Sequence, residues 1–313
     1  EQVCYRYKGE LGRLKNLHGE VHEAKKIFEE IINNESENIE PMNKATIRMN
    51  LFVQLNKAGD RDEAERYLYE GLNLLNPENP FHKLIYFSYL SKLYFFLSES
   101  GYNYEAIKGY LKLENDIEKE YGKNSKPLGE ILFLLSLSYH NIGKYDEALK
   151  YSKQLLNILK NTNYRSDNER EWYAQIGLSY GSLDNNQEAE KYFEKSIESY
   201  KKDKSYNNAI PVMMALVTTK IILSKYQEAE NILKEAENFN SNYHANNPGY
   251  KIQIYANYLY LYAKTNKINE FNKILVKFYS TTSDHSKGLF SEKHNIPTDQ
   301  YIPYIENPID LII

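Results

Sequence analysis

Residues 172–200 read WYAQIGLSYGSLDNNQEAEKYFEKSIESY, and the spacing within them decides the fold. Tyr173, Ile176, Gly177 and Tyr180 recur at i, i+3, i+4 and i+7, the spacing of one helix face. After a short polar break, Ala189, Phe193 and Ser196 share a face in the same way. Gly177 and Ala189 lack bulk, so two helix backbones are expected to approach closely there, with Tyr173, Tyr180 and Phe193 filling the space around them. The stretch is a predicted helical hairpin.

The rest of the chain repeats it. A small residue preceded by an acid and followed four places later by a mostly apolar residue occurs at Ala24, Ala64, Ala106, Ala148, Ala189 and Ala229, with Phe271 in the seventh place. The intervals are 40, 42, 42, 41, 40 and 42 residues, a beat steady enough to predict a stacked array. The preceding acids are Glu23, Glu63, Glu105, Glu147, Glu188, Glu228 and Glu270, placed to favour the positive end of a second helix. Five residues before each small residue stand Gly19, Gly59, Gly101, Gly143, Asp184, Ser224 and Asn266. Most are types that tolerate a left-handed helix end, and Ser224 fits least.

These residues resemble the tetratricopeptide repeat, whose aromatic, Leu-Gly, Tyr, Ala, Phe and Ala places fall on Tyr173, Ile176 with Gly177, Tyr180, Ala189, Phe193 and Ser196. The resemblance implies an all-α, right-handed α-solenoid of about seven helix-turn-helix units. The beat exceeds the family's usual period of about 34 residues. Longer units of this kind are similar to those of bacterial peptide-sensing regulators and of some eukaryotic adaptors.

A solenoid grows by adding units, so 313 residues are read as one elongated domain over 1–280 followed by a non-repeat tail over 281–313. Pair two is expected to stop at Asn76-Pro77-Glu78-Asn79-Pro80, and Pro211 to sit in the first turn of its helix. Pair seven diverges: Phe271 replaces the alanine, so its helices must splay or repack. The tail, with Pro297, Pro303 and Pro308, closes on Asp310-Leu311-Ile312-Ile313 and is expected to cap the last pair or lead into another domain. Pair one begins almost at the chain start, where an array normally carries a cap.

Composition narrows the function. Formal net charge is −4 with no basic stripe, which argues against nucleic-acid binding, and no apolar run reaches membrane-spanning length. The 30 tyrosines suit helix interfaces that are apolar in body and wet at the tip. Cys4 is the only cysteine, so no internal disulfide forms. The Lys, Asn, Ile and Tyr bias points to an AT-rich, bacterial coding sequence, and cytoplasm is the default compartment.

Reactive constellations are missing. His18 and His22 are four apart, but the break at Gly19 keeps them off a shared helix, and neither a phosphate loop nor a nucleophile elbow is present. Glu114, Asp116, Glu118 and Glu120 interleave with Lys112 and Lys119 as a solvated face. Trp172 is expected to pack between pairs. No cofactor, metal or catalytic residue is expected.

The expected partner is a protein or peptide. In the family, first helices line the concave face, and the places that point into it carry over to Arg13, Asn16, Asn50, Asn56, Lys92 and Phe95, then His140, Gln175, Asn257 and Tyr260. Asn, Gln and Lys side chains can bond the backbone of an extended peptide, while Phe95 and Tyr260 offer apolar anchors. The Lys and Asn clamp of chaperone-binding members is not reproduced: Gly9 and Arg13 stand at its first places, and only Asn50 and Lys92 agree in type. The alternative is the sensing arm of a larger transcription factor, kinase or protease.

Overall fold

Left-handed residues punctuate the chain at the beat read from the sequence. Gly59, Gly101, Gly143, Asp184, Ser224 and Asn266 all have positive φ, between 54° and 91°. The least expected of them, Ser224, sits at 61°. At five of these breaks two hydrogen bonds close the helix end. The amide after the left-handed residue donates five residues back, as Asp60 does to Leu55 (2.9 Å) and Lys225 to Lys220 (2.8 Å). The left-handed residue itself donates three back, as Gly59 does to Asn56 and Ser224 to Ile221. Asn185, Tyr102 and Lys267 repeat the longer bond to Tyr180, Leu97 and Tyr262. This is the Schellman pattern, which satisfies carbonyls orphaned at a helix end.

The computed structural model describes residues 2–17, 20–161, 169–202, 209–243 and 247–294. Gly19, His18 and the tail from residue 295, with its three prolines, lie outside them. The described residues form fourteen helices and no strand. The chain divides into two units, Glu1–Ile142 and Gly143–Ile313.

The first unit holds α1 (Gln2–Leu17), α2 (Val21–Asn33), α3 (Pro41–Ala58), α4 (Arg61–Asn73), α5 (Pro80–Glu99), α6 (Asn103–Tyr121) and α7 (Lys126–Asn141). Prolines open three of these helices, where a missing N–H costs nothing. At α5 and α7 the caps are Asn79, whose side chain accepts from the Phe81 amide, and Ser125, which accepts from Leu128. α4 ends at Asn73, ahead of the break predicted over residues 76–80, whose Asn79 and Pro80 start α5.

The second unit holds α8 (Tyr145–Asn161), α9 (Glu169–Gly181), α10 (Asn186–Lys202), α11 (Ala209–Ile222), α12 (Tyr226–Tyr243), α13 (Pro248–Lys264) and α14 (Ile268–His294). Pro211 lies in the first turn of α11, as expected. The last helix runs past Ser280 to His294.

Packing explains the small residues. Ala24, Ala64, Ala106, Ala148, Ala189 and Ala229 are each 0% exposed, and every preceding glutamate lies in the first turn of its helix. Gly177 does not serve a direct backbone contact as expected. A Cβ there would lie 2.7 Å from the ring of Phe193, so the glycine makes room for that ring, and it is Gly181 that faces Ala189. Gly12 makes the same room for Phe28 on α2, with the ring 2.6 Å from a Cβ built on it. In pair seven Phe271 is half-buried against the core and Ile274, three residues on, is buried instead, so this pair repacks around the larger side chain. Trp172 is buried, as expected of a packing residue.

Candidate functional site

In the first unit the candidate residues ride on α1, α3, α5 and α7, all first helices of their pairs. Lys92 is exposed and Phe95 half-buried on α5, three places apart and thus neighbours on the helix surface. Asn50 is half-buried on α3. Asn56 lies six residues further on, which turns it to another side of the helix. Its Nδ2 donates to Glu99 Oε2 at the end of α5 (3.2 Å), and its Oδ1 is buried without a partner among the described residues. Arg13 is exposed, its Nε held 2.8 Å from Glu10 Oε2. The side chain of Asn16 lies outside the described residues. His140, half-buried on α7, is held below its ordinary pKa by burial and is therefore neutral at pH 7.

In the second unit Asn257 and Tyr260 are neighbours on α13. Asn257 is committed on both sides: its Oδ1 accepts from Thr218 Oγ1 on α11 (3.1 Å) and its Nδ2 donates to the Gln253 carbonyl (3.0 Å). Tyr260 remains 38% exposed, with the Lys264 ammonium 5.7 Å from its ring centre. Gln175 departs from expectation. It is 2% exposed within the core of α9 and offers no surface to a partner. The helix turns this place inward, beside Ile176 and Gly177, which are buried with it.

The structure thus brings together Lys92 with Phe95 and Asn257 with Tyr260, each a cation or amide next to an aromatic ring. It does not join Asn50 to Asn56, and it removes Gln175. Among the described residues no cluster of His, Cys, Asp or Glu is arranged to hold a metal ion, and no helix is long and apolar enough to cross a membrane.

The sequence reading missed the charged cores. In the first unit Arg48 on α3 bonds Glu35 through Nη1 (2.7 Å) and Glu70 through Nε (3.4 Å), while Tyr5 donates to Glu35 (3.0 Å). Burial alone would raise the Glu35 carboxyl, but Arg48, Tyr5 and Lys44 outweigh it and hold it below the ordinary range. In the second unit Lys220 on α11 is ringed by Glu190, Glu194 (2.8 Å) and Glu228 (2.6 Å). Glu190 also accepts from Lys225 (2.6 Å). Burial would raise this carboxyl too, and the two ammonium groups hold it low. One signal was available: Glu190, Glu194 and Glu198 stand at i, i+4 and i+8, a carboxylate row along one side of α10.

Residues 129–160 and 171–203 match the family model of the tetratricopeptide repeat, and the two matches start 42 residues apart. No curated protein sequence matches the chain. Among solved structures, the signal transduction ATPase with numerous domains that carries a tetratricopeptide repeat sensor, from Pyrococcus horikoshii, aligns at 21% identity and a TM-score of 0.67. That alignment covers 87% of this chain and 41% of the ATPase chain, so this chain spans less than half the length of that relative. A Rap protein complexed with competence and sporulation factor aligns at 12% identity and a TM-score of 0.63, over 93% of this chain and 80% of the other. The apo form of RapI does so at 12% and 0.63, over 89% and 97%. At these identities the likeness is one of fold. The two matched segments are tetratricopeptide repeats, set in an all-helical chain that shares the fold of that family's arrays.

Proposed function

We propose that the chain is a non-catalytic interaction scaffold that holds a peptide or protein partner on the faces of its first helices. The observation that carries this reading is the pairing, on first helices of a repeat array, of an exposed cation with an aromatic ring: Lys92 with Phe95 and Lys264 with Tyr260. Such a pair fits a peptide main chain and an adjacent apolar side chain at once. A second reading, the sensing arm of a larger regulator, draws on the relative that carries a repeat sensor within a chain more than twice as long as the aligned part.

The test is selection of peptides from a displayed random library on the full chain, followed by calorimetry of the selected peptides. The Asn50→Ala, Lys92→Ala double variant and Tyr260→Ala are expected to weaken a selected peptide at least tenfold. Peptides whose affinity is the same for wild type and for both variants would refute the first-helix reading.

A further inference from the structure

A cavity of about 420 Å³ opens between α10, α11 and α12, beside the Lys220 network and away from the first-helix candidates. It is comparable in size to small-ligand clefts, roughly 300–1,000 Å³. Its floor is apolar, made by Ile197, Met213 and Leu216, all buried. Its walls are acidic: Glu194 and Glu198 line it from α10, Glu228 and Glu235 from α12. The two basic residues in the lining mark its ends. Lys220 joins Glu194 to Glu228, and Lys201 crosses from α10 to Glu235 on α12 at 2.6 Å.

The molecule therefore already shows what the cleft accepts. At one end the Lys220 ammonium sits between carboxylates from the two flanking helices, and at the other Lys201 of α10 pairs with Glu235 of α12. Between those ends the walls still carry net negative charge, and Glu198 has no ion-pair partner among the described residues. A bound anion would meet four carboxylates, and a purely apolar segment would leave Glu198 beside it without compensation. A cationic side chain with a long aliphatic stem satisfies both surfaces, its stem on the floor and its head at the wall.

We infer that this cleft is a second docking site, for a partner segment that inserts an arginine or lysine flanked by an aliphatic residue, with Glu198 of α10 as the principal acceptor and Lys201 as an internal competitor for Glu235 on the facing wall. Arginine is the better fit, because its planar fork engages two carboxylate oxygens at once. The site shares no residue with those offered to the first partner, Asn50, Lys92, Phe95 and Tyr260.

The test is fluorescence anisotropy on the full chain with a labelled, end-blocked peptide Ala-Leu-Arg-Leu-Ala and its counterpart with Gln for Arg. The arginine peptide is expected to bind at least tenfold more tightly than the glutamine peptide, and Glu198→Gln to remove most of that difference. Lys201→Met is expected to tighten arginine-peptide binding at least threefold by freeing Glu235. Lys195→Met makes the same change in charge at an exposed site on α10 whose ammonium faces the rings of Tyr173 and Tyr192, and it is expected to change affinity by less than half as much. Asn50→Ala with Lys92→Ala is expected to leave this affinity unchanged, which separates the cleft from the surface around Asn50 and Lys92. Equal binding of the two peptides, no effect of Glu198→Gln, or equal effects of Lys201→Met and Lys195→Met would each overturn the assignment. Glu198, Lys201 and Lys195 are exposed, so melting curves are expected to coincide with wild type and a loss of binding is not a loss of fold.

Discussion

Arg48 in the first unit and Lys220 in the second play the same part with different endings. Each is a cation on a first helix, its side chain 12% and 5% exposed respectively, tied to carboxylates before and after it in sequence. Around Arg48 the network closes: its guanidinium spans both oxygens of Glu35, Tyr5 adds a hydroxyl, and Lys44 stands 3.5 Å from the same carboxylate. Around Lys220 the carboxylates outnumber the cations and the surplus lines an open cleft. A closed ion network holds helices together, whereas one with unspent charge also leaves a surface that attracts an outside group.

Removing the cations tests that contrast most strongly. Lys220→Met leaves Glu190 with Lys225 as its one remaining partner, beside two further carboxylates, and is expected to cost on the order of 3 kcal/mol in urea unfolding. Arg48→Met is expected to cost less, because Lys44 and Tyr5 still serve Glu35. Equal losses would show that the two networks are alike after all.

The glycines under the phenylalanine rings probe what the units share. Gly177→Ala and Gly12→Ala each push a Cβ into a ring and are expected to destabilise by about 1–3 kcal/mol. Phe193→Leu is expected to recover part of the loss in the first case. A neutral Gly177→Ala would mean that the Phe193 ring has room to move.

Acid sharpens the comparison further. Glu35 has a folded pKa below its unfolded value near 4.5, so its contribution is complete above that value and is lost as pH falls through the folded one. Glu35→Gln is expected to lower stability at pH 7 by on the order of 1 kcal/mol, and the difference from wild type is expected to shrink as pH falls below 4.5. A difference that stays constant with pH would place the effect outside ionisation.

The smallest expected effect concerns the turns. The left-handed breaks at Gly59 and Gly101 in the first unit and at Gly143 in the second use glycine, while Asp184, Ser224 and Asn266 serve at the later breaks of the second. The backbone bonds are the same, so the array imposes the geometry and tolerates the strain. Ser224→Gly is expected to raise stability by about 0.5–1 kcal/mol in thermal melts, and a loss would mean that the serine side chain offsets its backbone cost.

The beat of the array was legible because it rests on local chemistry: an alanine with no room for more, an acid at a helix start, a residue able to turn left-handed. Ser224 shows the limit of reading residue types one at a time, since its neighbours force a conformation that serine alone disfavours. Gln175 shows another. Its place in the repeat pattern assigns it to the surface, but helix rotation within pair five decides burial, and that depends on neighbours such as Trp172 and Ile176. Lys220 was out of reach for a different reason, because Glu190 and Glu194 lie 30 and 26 residues away and meet it only when α10 packs on α11.

Hydrogen exchange on the full chain, with and without a saturating library-selected peptide, tests the proposed function most directly. New protection is expected on first helices, at α3 and α5 around Asn50 and Lys92 or at α13 around Tyr260. Protection confined to second helices, or none at all despite measured binding, would contradict the proposed function.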